Sequence, residues 1–452
     1  MESVLPARLQ EGLTALRQRP VAATEKSFGR LAATGPVTAE WLADIRPPLL
    51  GGDFLLPALV LRESALAANI DAMAAYCASA GVALAPHGKT TMAPQLLYRQ
   101  LAAGAWGVTA ATVPQVQVFR AFGVSRILIA NEVTDPAGIA WLAGELAADP
   151  EFDCYCFADS QAGVALLAAG LAPVLARAGR QLGILVELGQ PGGRAGCRSV
   201  AEAAGVAAAV AASPSLRLAG AAGYEGSIGH DDNPATLAAI AAFCRDLRRL
   251  GTLLPGLGAP GDYLLSAGGS AYFDIVVREL TGPAEDGTAS GGDSTGPGRD
   301  STGPLVLLRS GAYVSHDHGF YGRLSPGGET GRPGPRLTPA FELWAPVLSR
   351  PEPGLAIVGA GRHDVAFDQD QPVPLRALAG GCPDAALPVT GMQVSALDDQ
   401  HGYLRLPPES VLGPGDLVCL GISHPCTTFD KSRVIPVIDD DYRVIDALHT
   451  FF

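Results

Sequence analysis

An apolar run that stops at His87, Gly88 and Lys89 is the first stretch of the sequence that could do chemistry. A short unbroken apolar run such as Val82–Ala85 is typical of a strand buried on both faces of a parallel sheet, and α/β folds place active sites at the carboxyl ends of such strands. A lysine amine that is partly desolvated there becomes a nucleophile able to form a Schiff base. Because lysine is mostly exposed, this stretch alone favours a solvated Lys89.

A second candidate site is the segment Gly421–Lys431, in which one residue separates His424 from Cys426. In extended chain, residues two apart project to one face, so an imidazole nitrogen and a thiolate sulfur could bind zinc together. Two ligands are too few for a closed structural site and leave positions for water or substrate. Because such pairs are common by chance, this segment alone favours a buried structural role.

A third candidate is Ser266–Tyr272, which follows a predicted strand and begins a short helix. The amides of Gly268, Gly269 and Ser270 would then point over the strand ends, where amides at a helix N-terminus can bind phosphate. A plain tight turn is the alternative. Tyr224, which ends an earlier predicted strand, is interpreted either as a core aromatic residue or as a polar contact for a bound ring.

The elements that must position these residues are eight predicted strands separated by helix-like segments. The strands are Val82–Ala85, Gly107–Ala111, Ile127–Ala130, Asp153–Ala158, Leu182–Leu188, Leu218–Tyr224, Tyr263–Ser266 and Leu305–Leu308. Strict alternation predicts an α/β fold with a parallel (β/α)8 barrel. The polar residues after the strands would all face one rim, where we expect the reaction site; they are His87, Lys89, Asn131, Glu132, Asp159, Glu187, Tyr224, Ser266–Ser270 and Arg309–Tyr313.

The remaining chain divides around this barrel. We predict an N-terminal extension over 1–54 with a helix at Leu9–Gln18, a barrel domain over 55–311 and a C-terminal all-β domain over 312–452. The barrel domain would begin with the strand Pro57–Arg62 and a helix that Ser64 caps. The glycine-rich insert 281–304 has too little apolar content to order itself and is predicted to be disordered.

Composition limits the function classes. The 452 residues are 48% hydrophobic and 17% charged with a net charge of −13, which permits a large core and argues against nucleic acid or an anionic membrane as partner. The eight cysteines lack C-x-x-C spacing, which is typical of reduced thiols. Without a long apolar run or a signal-peptide pattern, a cytoplasmic protein that binds a small molecule is expected.

Taken together, the motifs resemble the fold-type III pyridoxal-phosphate enzymes, specifically the D-threonine aldolase and D-serine dehydratase group with its amino acid deaminase branch. The motifs occur in family order over residues 55–430; they are Pro86–Met92, Val186–Gly189, Arg194–Gly196, Tyr224, Ser266–Ser270, Arg309–Val314 and His424–Thr428. The insert 281–304 is longer than the family pattern. Ser432 stands where the deaminase branch has an aromatic residue, which leaves substrate specificity less defined than cofactor use.

The resemblance implies an alanine-racemase-like barrel with a C-terminal β domain, in a homodimer that shares its active sites. Lys89 would bind pyridoxal 5'-phosphate as a Schiff base and, once displaced by substrate, remove the α-proton, with His87 also in the catalytic site. The cofactor would contact Arg194, Tyr224, Gly268, Gly269, Ser270 and Tyr313. His424 and Cys426 would bind a divalent metal, zinc or alternatively manganese.

These parts fit a lyase that removes water and ammonia from a D-3-hydroxy amino acid such as D-serine or D-threonine. The cofactor stabilises a carbanion at the α-carbon, and the metal makes the β-hydroxyl oxygen a better leaving group. A base that takes the hydroxyl proton instead would favour aldol cleavage to glycine and an aldehyde. A racemase has no use for the metal pair, and a non-catalytic pyridoxal-phosphate binding protein is the alternative outside catalysis.

Overall fold

The computed structural model describes residues 6–257, 263–282 and 303–452, and its helices and strands confirm the predicted fold class. The helices are α1 Ala7–Arg17, α2 Gly29–Ala32, α3 Ala39–Ile45, α4 Glu63–Ala80, α5 Pro94–Ala102, α6 Val113–Ala121, α7 Pro136–Ala148, α8 Gln161–Ala178, α9 Val200–Ala211, α10 Pro234–Leu253, α11 Phe273–Thr281, α12 Phe320–Leu324 and α13 Cys426–Phe429. The strands are β1 Ala58–Arg62, β2 Ala83–Leu84, β3 Val108–Ala110, β4 Arg126–Glu132, β5 Asp153–Ala158, β6 Leu182–Leu188, β7 Leu216–Gly223, β8 Leu264–Ala267, β9 Leu305–Leu308, β10 Phe341–Glu352, β11 Leu355–Val358, β12 Val373–Leu378, β13 Ala386–Leu387, β14 Gln393–Leu397, β15 Gly402–Arg405, β16 Leu417–Gly421, β17 Val434–Ile438 and β18 Val444–His449.

The eight predicted barrel strands form one parallel sheet in the order β2, β9, β8, β7, β6, β5, β4, β3. The two outer strands meet through backbone hydrogen bonds from Trp106 N to Leu84 O at 2.7 Å and from Thr109 N to Pro86 O at 2.9 Å, which close the sheet on itself. Strand β6 is buried along its whole length, as expected for a strand with helices outside and packed side chains inside.

Helix boundaries follow local signals in the sequence. Asp135 caps α7 by accepting a hydrogen bond from Gly138 N at 2.7 Å, with a proline in the first turn, and α4 ends at Gly81 in the left-handed conformation. The predicted cap at Ser64 is wrong, because Ser64 lies inside α4 and its hydroxyl donates to Asp440 at 2.8 Å. Its side chain therefore joins α4 to the C-terminal part of the chain.

The second sheet has ten strands and is antiparallel except where β1 pairs with β17. Strand β1, which we predicted within the barrel domain, lies at its centre between β10 and β17, so that part of the prediction is wrong. The strand pairs there because both neighbours are supplied by the C-terminal half of the chain. The domain division at residues 54 and 311 otherwise stays a prediction.

The N-terminal segment packs against this second sheet. Phe28, Leu42 and Leu49 form a core cluster with Val60 and Trp344, and α1 overlaps the predicted helix at Leu9–Gln18. The prediction of disorder for 281–304 concerns residues that lie mostly outside the described part of the chain. One described helix, α8, is long and apolar enough by length and composition to cross a membrane, and its buried leucines belong to the main core cluster.

Candidate active site

The carboxyl ends of the barrel strands surround a cavity of about 480 Å³. The cavity is lined by His87, Lys89, Thr90, Ala111, Gln115, Ala130, Asn131, Phe157, Arg194, Tyr224, Gly269, Ser270, Arg309, Gly311, Ala312, Tyr321, His424 and Cys426. The structure therefore brings together the lysine, the glycine turn and the His–Cys pair, which are far apart in the sequence. Among the predicted site residues, Gly268 and Tyr313 do not line this cavity.

Lys89 lies in a single 3-10 turn, Gly88–Thr90, directly after β2 and its extension. The turn passes close to the first helices of the barrel, because a Cβ on Gly88 would lie 2.5 Å from the ring of Phe119. Lys89 lines the cavity, and the residue is exposed. The exposure of Lys89 agrees with the interpretation of a solvated lysine at the end of a strand. Its side chain nevertheless faces the site.

His87 is the neutral group of the site. Burial and the neighbouring charges of Lys89 and Arg309 lower the pKa of His87 well below its usual range, so the imidazole stays uncharged at neutral pH. Its Nδ1 is buried and has no hydrogen-bond partner within the described residues. A buried ring nitrogen of this kind is available to a ligand or to a water molecule in the cavity.

His424 and Cys426 face the cavity in a conformation that differs from the predicted one. We expected extended chain, but His424 has a left-handed φ of 74° and Cys426 begins helix α13. Burial alone would raise the pKa of the Cys426 thiol, but the hydrogen bond and the charge of His424 lower it below its usual value. Burial alone would lower the pKa of His424, but the hydrogen bond and the charge of Cys426 raise it to about 9. Thr90 Oγ1 lies 3.3 Å from Cys426 Sγ and joins this pair to the lysine turn.

The glycine turn is held by a buried carboxylate that the sequence analysis missed. Glu225 is 0% exposed and accepts hydrogen bonds from Gly268 N at 3.0 Å and from Gly269 N at 2.6 Å. These two amides, which we predicted to bind phosphate, are therefore already paired within the protein. Ser270 Oγ accepts from Ala312 N at 3.2 Å, which leaves its own hydroxyl hydrogen free to donate into the cavity.

Tyr224 and two arginines form the opposite wall. Burial and the charge of Glu225 raise the pKa of Tyr224 to about 12, and the guanidinium of Arg194 lies 5.0 Å from the centre of its ring. Arg309 is buried and donates to Ser266 Oγ at 2.6 Å and to the carbonyl of Gly223. These bonds fix the Arg309 side chain within the protein, whereas Arg194 is exposed and lines the cavity.

Two residues singled out in the sequence lie away from the cavity. Tyr313 is 1% exposed, and its hydroxyl accepts a hydrogen bond from Gln100 at 2.8 Å; its contact with the cofactor stays a prediction. Ser432 is buried next to Lys26 and Asp364, outside the site. Its identity therefore does not act directly on a molecule in the cavity.

A pair of acids lies beside the site, with Glu132 on β4 and Glu187 on β6, two strands of the barrel that β5 separates. Burial and the neighbouring carboxylate of Glu187 raise the pKa of Glu132 to about 8, and burial also raises the pKa of Glu187. The pairing of β4 with β5 shifts its register between Ile129 and Glu132, so that Glu132 pairs with Phe157. Both acids therefore hold their protons more tightly than an exposed carboxyl group does, because burial disfavours the charged form of each.

Two sequence families match this chain. The alanine racemase N-terminal domain matches residues 61–273, and the serine dehydratase domain matches residues 340–438. A D-threonine aldolase of Arthrobacter sp. is 30% identical over 405 residues, which cover 87% of this chain and 93% of the relative.

The chain belongs to the fold-type III pyridoxal-phosphate enzymes.

Two solved structures share the fold of the chain. The crystal structure of D-threonine aldolase from Filomicrobium marinum has a TM-score of 0.72 and 25% identity, and the match covers 89% of this chain and 96% of that one. The D-threo-3-hydroxyaspartate dehydratase from Delftia sp. HT23 has a TM-score of 0.66 and 21% identity over 90% of this chain and 99% of that one. Its similarity to the D-threonine aldolase of Arthrobacter sp. over 87% of its length shows that the chain is a pyridoxal-phosphate-dependent lyase.

The residues of the cavity fit a pyridoxal phosphate group. Lys89 supplies the amine, Tyr224 supplies an aromatic wall, and the unpartnered Nδ1 of His87 is a polar group without a protein partner among the described residues. Gly311 allows the chain after β9 to pass close to His87, since a Cβ there would lie 2.6 Å from the carbonyl oxygen of His87. No group of three or more His, Cys, Asp or Glu side chains in the described chain could hold a metal, so the His–Cys pair would leave coordination positions open.

Proposed function

We propose that the protein is a metal-assisted lyase that removes water and ammonia from D-3-hydroxy amino acids of the D-serine or D-threonine type. The observation that carries this proposal is the shared cavity of Lys89, His424 and Cys426, with Thr90 in contact with the cysteine sulfur at 3.3 Å. The lysine that would remove the proton from the substrate's α-carbon thus lies in the same cavity as two side chains that could bind a Lewis-acidic metal. Both groups can act on one small substrate.

Lys89 carries the proton chemistry in this proposal. It would bind the cofactor covalently, and after a substrate amine has displaced it, its free amine would take the proton from the substrate's α-carbon. Pyridoxal phosphate, when bound, acts as the electron sink for that deprotonation. Tyr224 and Arg194 would orient the ring, while the hydroxyl of Ser270 would donate to the phosphate.

His424 and Cys426 would hold a divalent metal, for which a nitrogen and a sulfur ligand favour zinc. A metal held there would supply Lewis-acid chemistry at a substrate oxygen. The neutral His87 and the phenol of Tyr321 line the same cavity and can accept or donate hydrogen bonds to the substrate's polar groups. The substrate hydroxyl would thus be surrounded by groups that can stabilise its departure.

Aldol cleavage to glycine and an aldehyde is the second candidate reaction. The observation that favours it is the sequence similarity, since the relative that covers 87% of the chain is named a D-threonine aldolase. The two reactions begin with different bond cleavages at the same bound substrate. The position of the β-hydroxyl relative to the metal and the base decides between them.

The test is a substrate screen with D-serine, D-threonine and 3-hydroxy-D-aspartate, with and without chelator, in which ammonia and glycine are measured together. We expect ammonia and a keto acid, with loss of turnover in the chelated enzyme and in Lys89→Ala. Lys431→Ala, which removes a lysine outside the cavity, is the matched control and should keep full turnover. Glycine and aldehyde as main products would establish the aldolase instead, and no turnover despite bound cofactor would indicate a binding protein.

We further propose that the enzyme is a homodimer whose subunits share their active sites. The residues that line the cavity in this chain leave its mouth accessible, as Lys89 is exposed. Analytical ultracentrifugation should give a dimer at micromolar concentration. A monomer with full turnover would contradict the proposal.

A further inference from the structure

Asp368 lies beside the imidazole of His424, on a loop that the sequence analysis did not single out. Its Oδ2 is 2.6 Å from His424 Nδ1, and its Oδ1 accepts a hydrogen bond from Thr427 Oγ1 at 2.7 Å. Thr427 Oγ1 is also 3.1 Å from His424 Nδ1. The carboxylate therefore binds one nitrogen of the ring and is itself held in place by a hydroxyl.

The backbone of His424 is fixed independently by a second carboxylate. Asp317 is 0% exposed, and its Oδ2 accepts from His424 N at 3.0 Å while its Oδ1 accepts from Gly319 N and Tyr321 N. The left-handed φ of 74° at His424, which is costly for a residue other than glycine, is thus held by the surrounding structure. With the backbone fixed, the remaining freedom of His424 is the rotation and tautomer of its ring.

We propose that Asp368 is the positioning residue of the metal site: it holds Nδ1 of His424 protonated and leaves Nε2 as the metal ligand beside Cys426. The two ring nitrogens of histidine are distinct, and the hydrogen bond made by one decides which nitrogen is free to bind a metal. A carboxylate partner also makes the other nitrogen a stronger ligand. The inference rests on the metal site of the proposed function but not on which reaction that site catalyses.

The same loop provides a matched control. Asp370 is two residues further on, and its Oδ2 accepts from Ser423 Oγ at 3.2 Å and from Arg323 Nη2 at 2.9 Å. It resembles Asp368 in charge, sequence neighbourhood and side-chain exposure, which is 34% against 38%, but its hydrogen bonds go to Ser423 and Arg323 instead of the His424 ring. A change at Asp370 therefore reproduces any general loosening of the loop without touching the imidazole.

The experiment measures metal affinity directly. The enzyme keeps its pyridoxal phosphate, is freed of metal with a chelator, and is then titrated with Co²⁺ or Zn²⁺. Co²⁺ binding is followed by its thiolate charge-transfer absorbance, and Zn²⁺ affinity is obtained by competition with a chromophoric chelator. We expect Asp368→Ala to weaken metal binding by about 10- to 100-fold, with Asp368→Asn falling between Asp368→Ala and wild type. Asp370→Asn should bind metal as wild type does, and His424→Ala should lose the Co²⁺ signal.

Cofactor absorbance and the urea unfolding midpoint show whether each variant is intact. Because Asp368 is an exposed surface residue, both quantities should stay at wild-type values in its variants. Three results would overturn the inference. The first is wild-type metal affinity in Asp368→Ala, and the second is a loss of metal affinity in Asp370→Asn equal to that in Asp368→Ala. The third is a wild-type protein that binds no metal at His424 and Cys426. None of these results depends on turnover, so an enzyme that binds metal through His424 but does not act on 3-hydroxy amino acids would contradict the proposed function alone.

Discussion

Replacing Glu225 with glutamine should destabilise the protein and loosen the glycine turn of the active site. Each oxygen of this fully buried carboxylate accepts one backbone amide, from Gly268 and Gly269 at 3.0 and 2.6 Å. A glutamine has only one oxygen, so its amide group would face one of the two N–H groups. That backbone donor would then be buried without an acceptor.

The magnitude follows from these two bonds. Leaving a buried donor unsatisfied costs about 1–3 kcal/mol, and the bond that remains loses the charge that made it worth about 1.5–3 kcal/mol. The loss of the negative charge also leaves the buried Arg309 with one acidic neighbour fewer. We therefore expect Glu225→Gln to lower the free energy of unfolding by about 3 kcal/mol, at the lower end of what breaking a buried charged contact costs.

Urea unfolding followed by circular dichroism measures this change, and equilibrium dialysis measures cofactor binding in the same preparation. Cofactor affinity should fall together with stability, because Gly269 lines the cavity and lies next to the ring of Tyr224. Glu409→Gln, which changes an exposed glutamate, is the control and should shift the unfolding free energy by less than about 0.5 kcal/mol. An unchanged midpoint in Glu225→Gln would refute the assignment of this carboxylate as the anchor of the turn.

Three other perturbations test other buried groups. Asp317→Asn leaves the backbone amide of His424 without its acceptor, which should lower the free energy of unfolding by about 1–3 kcal/mol and weaken metal binding. Wild-type metal affinity in titration calorimetry would contradict this prediction. Gly311→Ala places a Cβ 2.6 Å from the carbonyl oxygen of His87. The backbone must move at an overpacking cost of about 1–3 kcal/mol, and retention of full cofactor after dialysis would disprove the close fit. Burial lowers the pKa of His449 from 6.5 to about 4, so the unfolded chain takes the proton first and stability is lost as pH falls from 6.5 towards 4. In His449→Gln, the decrease in unfolding free energy between pH 6.5 and pH 4 should be about 3 kcal/mol smaller than in the wild type. Parallel pH–stability curves for variant and wild type would contradict this role of His449.

The barrel was predictable because its signals are local. Each buried strand is a short apolar run, each helix has its own start and stop residues, and the polar residues after the strands must share one rim once the strands are parallel. This reasoning assigns His87, Lys89, Tyr224 and Ser270 to one rim, and all four line the cavity. The reaction stayed open, because it depends on where a substrate's hydroxyl lies within that site.

The predictions that were wrong concern pairings between distant segments. Nothing in Ala58–Arg62 shows that this strand pairs with β10 and β17, some 280 and 370 residues further along the chain. The His–Cys pair faces the cavity from a left-handed residue and a helix start rather than from extended chain, because Asp317 captures the backbone of His424. A motif indicates which side chains are available but not the conformation that presents them.

The sequence by itself determined the fold class and the family, since both follow from its periodicity and from motifs that keep their order along the chain. Only the tertiary structure decided that Glu225 occupies two of the amides expected for phosphate, that Tyr313 faces Gln100, and that Asp317 and Asp368 hold His424. The physical reason is that a hydrogen bond depends on distance and direction in space. A carboxylate and its partner dozens of residues away leave no pattern in the sequence that joins them.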